Sequence, residues 1–164
     1  MSIHIEPVQP KDVYTIISLQ ARIWQNASSD YLSVEQMDYM FTKIYNPEYL
    51  KNEITSGQNY VLIYENNIPQ GFTSHSASDD NDIYRLNKIF LLPESQGKGF
   101  GKILMKHVED IARNRNAKFL DLYVNRNNPA CEFYKKIGFQ IQKEIDIPVG
   151  PYLMQDYVMR KDLS

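Results

Sequence analysis

The segment Gln96-Gly97-Lys98-Gly99-Phe100-Gly101-Lys102 is where this chain is best equipped to hold a charged group. Its alternate glycines follow a segment that reads as a strand, residues 83–92, and open a stretch with helical spacing, residues 98–115. Glycine reaches backbone angles that other residues resist and lets a ligand approach the main chain. The unpaired N–H groups of a first helical turn make an anion site, aided by the helix dipole. Lys98 and Lys102 add positive charge nearby. The chemistry on offer is phosphate binding by backbone amides. Spacing restricts which phosphate it can be. A Rossmann fingerprint starting at Gly97 needs glycine or alanine where Lys102 stands. A P-loop needs glycine at Gln96 and a hydroxyl residue at Ile103. Both nucleotide readings fail on the residues, and a glycine-rich helix start that binds nothing would use the same ones.

A second segment decides between these alternatives: Asn127-Asn128-Pro129-Ala130-Cys131-Glu132-Phe133-Tyr134-Lys135-Lys136-Ile137-Gly138-Phe139. Here the chain resembles the Gcn5-related N-acetyltransferase (GNAT) superfamily. That family carries a Gln/Arg-x-x-Gly-x-Gly/Ala loop, matched from Gln96 to Gly101. It also carries an Asn-x-x-Ala-x-x-Phe-Tyr-x-x-x-Gly-Phe helix, matched from Asn127 to Phe139. Both motifs stand in the expected order and strand–helix context. The resemblance is strong over residues 83–139 and extends weakly over the rest through the order of elements.

The resemblance implies an acetyl-CoA-dependent transfer to an amine. In that reading the amides around Gln96, Gly97, Lys98, Gly99, Phe100, Gly101 and Lys102 cradle the coenzyme pyrophosphate. The main chain at Ile89, Phe90 and Leu91 runs beside the pantetheine arm and polarises the thioester carbonyl, as an oxyanion site does. Asn127 hydrogen-bonds the pantetheine and also suits capping of the helix that begins near Pro129. Tyr134 is the general acid that serves the departing thiolate.

The proton acceptor is harder to find. Asn87 stands on the strand before the glycine loop, where relatives often carry a carboxylate. Leu122 stands where ribosomal-protein acetyltransferases of the family place a glutamate, which argues against that assignment. A water oriented by Asn87 is one candidate base. His75 is the other, since imidazole titrates near neutrality. His107 falls on the apolar face of its helix and reads as a core histidine. Cys131 reads as a small packing residue, because direct attack of an amine needs no enzyme thiol.

A looser resemblance is to spermidine/spermine acetyltransferases of the PaiA type. It rests on the aromatic second helical region, on Phe133-Tyr134-Lys135-Lys136 and on Asp156-Tyr157-Val158-Met159. A cationic acceptor would suit the acidic loop Asp79, Asp80, Asp82 and the rings of Tyr31, Tyr39 and Tyr45. A small primary amine such as a polyamine is therefore the leading acceptor. Acetylation of a protein lysine or N-terminus, and a non-catalytic acyl-CoA sensor, are the alternatives.

These residues need elements to position them. Residues 3–8 read as a strand, and Pro10 opens a helix whose Val13, Ile16, Ile17, Gln20, Ile23 and Trp24 form one stripe. Ser33 is an N-cap for a helix to Tyr45, and Asn46-Pro47 separates it from a short helix ending near Gly57. Residues 60–64, 71–76 and 83–92 read as strands, with Asn66-Asn67 as a turn. Over residues 98–115 the buried stripe is Phe100, Ile103, Leu104, His107, Val108, Ile111 and Ala112. A strand at 119–124, a helix at 129–137 closed by Gly138, and strands at 139–147 and 152–159 complete the order. The fold class is α/β (α+β). By resemblance it is a GNAT fold, a mixed, mostly antiparallel twisted sheet of about seven strands flanked by helices and splayed between the fourth and fifth.

Composition sets the outer limits. The 164 residues fit a single N-acetyltransferase domain over 1–164. Lysine and arginine number 18 against 20 acidic residues, so no basic footprint for nucleic acid is present. The one cysteine permits no internal disulfide. No His/Cys/Asp/Glu cluster has metal-ligand spacing, and no metal is expected. With neither a signal-peptide pattern nor a membrane-length apolar run, the expected setting is soluble and cytoplasmic. The closing strands pair subunits in some relatives, so a homodimer is one expected assembly.

Overall fold

The computed structural model describes residues 2–25 and 31–164. Strand β1 (Ile3–Pro7) leads through a short 3-10 turn into helix α1 (Val13–Gln25). Helix α2 (Val34–Ile44) begins at a capping box, in which Ser33 Oγ accepts from Gln36 N at 3.0 Å and Gln36 Oε1 accepts from Ser33 N at 2.9 Å. Helix α3 (Pro47–Thr55) starts where Asn46 Oδ1 accepts from Tyr49 N, with Pro47 in the position where a missing N–H costs nothing. Strands β2 (Asn59–Glu65) and β3 (Ile68–Ala77) are joined by Asn66 and Asn67, both at positive φ, 52° and 66°. That backbone suits a tight hairpin and is one asparagine tolerates. Then follow β4 (Ile83–Leu91), α4 (Phe100–Asn114), β5 (Phe119–Asn125), α5 (Ala130–Lys136), β6 (Phe139–Val149) and β7 (Tyr152–Asp162).

The strands form one seven-stranded sheet in the order β1-β2-β3-β4-β5-β7-β6. Every pairing is antiparallel except β4 with β5. That parallel pair is short, running from Ile83 opposite Phe119 to Leu86 opposite Leu122. Beyond it β4 stays with β3 as far as Leu91, while β5 stays with β7 as far as Asn125. The two halves of the sheet part there. The cause lies in the β3–β4 register, where Ser74 faces Lys88 but His75 faces Leu86, leaving Asn87 as an extra residue. Such a bulge bends its strand and sharpens the local twist. It also keeps Leu86 and Ile89 on one face of the sheet.

Two apolar layers cover the sheet. On one face Leu86, Leu120 and Leu122 pack with Met105 and Val108 of α4 and with Cys131 and Tyr134 of α5. On the other, Tyr60, Phe72 and Leu92 pack with Ile16, Leu19 and Leu50 of α1 and α3. Each such fully buried side chain contributes about 1.5–3 kcal/mol. The stripe expected on α4 is rotated in one respect: Ile103 is 38% exposed, and Met105 and Glu109 are buried instead. Lys161 of β7 reaches Glu109 Oε1 at 2.8 Å, which lets a carboxylate occupy an inward position. His107 is half-buried rather than central to the core.

Candidate active site

The chain leaves β4 through a turn pinned by Ser95, whose buried Oγ donates to Gln70 Oε1. Gly97 and Gly99 follow with φ of 79° and 87°. A Cβ at either would meet nothing within 4 Å, so glycine is required for its backbone angle and not for room. Gly99 is the residue before α4, and no side chain caps that helix among the described residues. Its first amides therefore face the loop, at the positive end of the helix dipole. Lys98 Nζ lies 3.7 Å from Glu65 Oε1, and Gln96 and Lys102 are exposed.

Two cavities open where β4 and β5 part. The larger, about 810 Å³, runs from Ile89, Phe90 and Leu91 past Pro93 to Gln96 at the glycine loop. The smaller, about 280 Å³, reaches toward Asn87, Lys88, Tyr45, Met154 and Asp156. Both are lined by Trp24, Ile89, Phe90 and Tyr134. Past Leu86 the β4 edge that faces β5 has no strand partner among the described residues, so its main-chain groups are directed at this opening. Tyr134 is held by α5 at the junction, its ring edge-on to Phe139 with centroids 5.8 Å apart. Burial, reinforced by Cys131 and Tyr31, pushes its phenol up to about 12. At neutral pH it is a proton donor.

The smaller cavity has a distinct electrostatic character. Lys88 Nζ donates to Glu53 Oε1 at 2.9 Å and to the Tyr60 hydroxyl, and Tyr60 donates to the same carboxylate at 2.6 Å. Burial pushes the Lys88 ammonium down and Glu53 opposes it. The lysine is spent within the protein. Asp156, 8% exposed, has its Oδ1 buried without a hydrogen-bond partner among the described residues. Burial raises this carboxyl, opposed by the Arg126 charge. Asn87 Nδ2 donates to Ser76 Oγ at 2.9 Å, which leaves its carbonyl oxygen as the group able to accept.

The structure brings Tyr134, Asn87, Ile89 and Phe90 around one opening, with Leu91 and Gln96 along its larger arm. Asn127 is exposed at the entry to α5, its N–H bound by Asn125 Oδ1 at 2.9 Å. The side chain that secures the start of α5 is that of Asn128, whose Oδ1 accepts from Ala130 N. Asn128 also lines both cavities. His75 lies elsewhere, in a cavity with Tyr84 and His107, where its Nδ1 shares a 2.6 Å hydrogen bond with the Tyr84 hydroxyl. Burial and then His107 push this imidazole down to about 4. The acidic loop is likewise apart: Asp80 and Asp82 bond within the loop and Asp82 pairs with Lys118 at 3.7 Å. Of the three tyrosines expected to meet a cation, Tyr31 and Tyr45 line the smaller cavity. Tyr39 instead packs edge-on to Tyr152 with centroids 5.5 Å apart. Among the described residues no group of three or more His, Cys, Asp or Glu could hold a metal ion, and no helix is long and apolar enough to cross a membrane.

Sequence reading missed Asp156 and Lys88. Asp156 carried no clear signal, because apolar residues stand on both faces of β7: Tyr157 and Met159 are shielded on one as Met154 and Val158 are on the other. Lys88 carried none either, since its inward direction depends on the bulge at Asn87.

The profile of the "Acetyltransferase (GNAT) family" matches residues 19–139. Streptothricin acetyltransferase of Streptomyces lavendulae is 34% identical over 90 residues, 54% of this chain and 48% of that protein, so the match spans about half of that relative. Spermidine N(1)-acetyltransferase of Thermoplasma acidophilum is 27% identical over 148 residues, 87% of this chain and 91% of that one. The crystal structure of PaiA N-acetyltransferase from Thermoplasma acidophilum in complex with coenzyme A superposes with a TM-score of 0.83 at 26% identity, covering 99% of each chain. The splayed seven-stranded sheet, the glycine loop at its opening and a profile match across most of the length agree: this chain belongs to the acetyltransferase (GNAT) family.

Proposed function

We propose that the protein transfers the acetyl group of acetyl-CoA directly to the primary amine of a small cationic molecule, with polyamines the leading class. One observation carries the reading: two cavities, one ending at the uncapped start of α4, meet at a buried, protonated tyrosine. The amides from Gln96 to Lys102 hold the pyrophosphate. The free edge of β4 at Ile89, Phe90 and Leu91 bonds the pantetheine and polarises the thioester carbonyl. Asn127, exposed at the entry to α5, adds a hydrogen bond to the pantetheine. The acceptor enters the smaller cavity, its nitrogen forms the new bond to the carbonyl carbon, and Tyr134 supplies a proton to the leaving sulfur. Asn87, its amide nitrogen engaged with Ser76, orients a water beside the acceptor.

A small acceptor is favoured over a peptide by how the smaller cavity is roofed. Met40 and Ile44 of α2 and Met154 of β7 line it, and the β6–β7 turn presses Gly150 against the Tyr39 hydroxyl. The likeness to the Thermoplasma spermidine acetyltransferase supports a polyamine. Calorimetry with acetyl-CoA, followed by thiol release on spermidine, spermine and lysine peptides, tests the proposal. Coenzyme binding with turnover of a small amine is expected; no coenzyme binding overturns it.

A further inference from the structure

We propose that Asp156 is the carboxylate that receives the acceptor's ammonium group beside Tyr134 and takes up one of its protons. The inference rests on the acetyl-transfer reading above and assigns the group that selects the acceptor. Asp156 pairs across β7–β5 with Asn125, the last residue of β5, at the edge of the opening left when β4 departs. Its carboxylate lines the cavity that Tyr134 and Asn87 also line. A buried carboxylate oxygen without a partner is unfavourable, and folded proteins keep few of them. A ligand that completes the site explains why this one persists.

The charges around it specify what that ligand is. Arg126 is the cation whose field reaches Asp156, yet its Nε donates to the Asp156 main-chain oxygen at 3.1 Å and not to the carboxylate. Its Nη2 serves Asp146 Oδ1 at 2.7 Å and Ile145 O at 3.3 Å, and Nη1 lies 3.7 Å from Glu144 Oε2. Lys88 is committed to Glu53 and Tyr60. Among the described residues lining the cavity, the charge left over is one carboxylate. An alkylammonium group complements it, and the Trp24 ring on the same wall adds attraction for a cation, the Tyr45 ring being already under Lys88 Nζ at 5.4 Å from its centroid. A neutral or anionic acceptor would leave the carboxylate unmet.

In the reaction, the ammonium yields one proton to the Asp156 carboxylate and becomes a neutral nucleophile. Its nitrogen bonds to the thioester carbon as the carbon–sulfur bond breaks, and Tyr134 protonates the thiolate. The nitrogen's second proton returns to the Tyr134 oxygen, and Asp156 releases its proton to solvent. Burial, which favours the protonated carboxyl, assists the first of these transfers.

Asp156→Asn keeps the shape and removes the charge. Acetyl-CoA affinity by calorimetry should stay within about twofold of wild type, and that binding also reports an intact fold. Spermidine binding to the coenzyme A-loaded protein should weaken about 30-fold or more, and kcat/KM for spermidine should fall about 10²-fold. Unchanged spermidine binding and turnover overturn the inference, as does an equal loss of acetyl-CoA affinity. On wild type alone, butane-1,4-diamine should bind the coenzyme A-loaded protein and butane-1,4-diol should not; equal binding also overturns it. A wild type that binds acetyl-CoA but no diamine or polyamine sinks the Asp156 assignment and leaves acetyl transfer standing. A wild type that binds no acetyl-CoA sinks the proposed function itself.

Discussion

Replacing Tyr134 by phenylalanine removes one hydroxyl and leaves the ring packed against Phe139. Stability should change by less than about 1.5 kcal/mol, the range of a single hydrogen bond. The kinetic effect follows from the proton affinity of the group. A phenol at about 12 is a weaker acid than a thiol, whose ordinary value is ~8.5. Full transfer from Tyr134 to sulfur is thus uphill even once the carbon–sulfur bond has broken, so the hydroxyl acts mainly by hydrogen-bonding the developing thiolate and gives up its proton only as the nitrogen's second proton replaces it. That puts its contribution near the lower end for general acids, about 10²-fold in kcat, or ~2.7 kcal/mol of barrier. The raised phenol also stays protonated well into alkaline pH, so wild-type kcat should show no alkaline limb from Tyr134 through mildly alkaline pH. The assay is continuous thiol release with spermidine at saturating acetyl-CoA, alongside calorimetry for coenzyme affinity. A kcat within about threefold of wild type refutes the proton-donor role. A loss in kcat/KM matched by an equal loss of coenzyme affinity would instead make Tyr134 a binding residue.

His75 should give the protein an acid-sensitive stability. Its folded imidazole is held at about 4 against an ordinary 6.5, so the unfolded chain takes the proton first. Stability is full above about 6.5 and declines as pH falls through about 4, by roughly 3 kcal/mol at ~1.4 kcal/mol per unit. Urea denaturation from neutral pH down to acid should show this slope flattened in His75→Gln. Lys88→Met strands Glu53 and Tyr60 without their cation and should destabilise the fold by roughly 3 kcal/mol. Adding Glu53→Leu should recover much of that loss in the same denaturation assay. Gly150→Ala sets a Cβ 1.9 Å from the Tyr39 hydroxyl at a φ of 57°. It should cost about 1–3 kcal/mol and raise KM for the amine without changing coenzyme affinity, with Tyr39→Ala relieving part of the cost. Gly99→Ala forces a side chain into φ of 87° at the start of α4. It should weaken acetyl-CoA binding, measured calorimetrically, by about tenfold while amine KM is retained.

The parts of this protein that depend on neighbours in sequence were legible from the residues. The glycine loop, the Ser33 cap, the Asn66-Asn67 turn and the helix bearing Tyr134 are each decided within a few positions, by backbone angle, by capping or by periodicity. What required the tertiary structure was everything set by strand register and by charges that meet across the sheet. The extra residue at Asn87 turns Lys88 inward onto Glu53, a partner 35 positions away. The same bulge accompanies the parting of β4 from β5 that opens the cleft. His75, reasonable as a base by its type, is carried by β3 into a different cavity against Tyr84 and His107. Asp156 stands on a strand with apolar residues on both faces, and that its Oδ1 has no partner among the described residues shows only once Arg126 is seen to be engaged with Asp146 and the β6–β7 backbone. Local sequence fixes angles and spacings; a charge's role depends on which other charges the fold brings to it, and those arrive from distant strands.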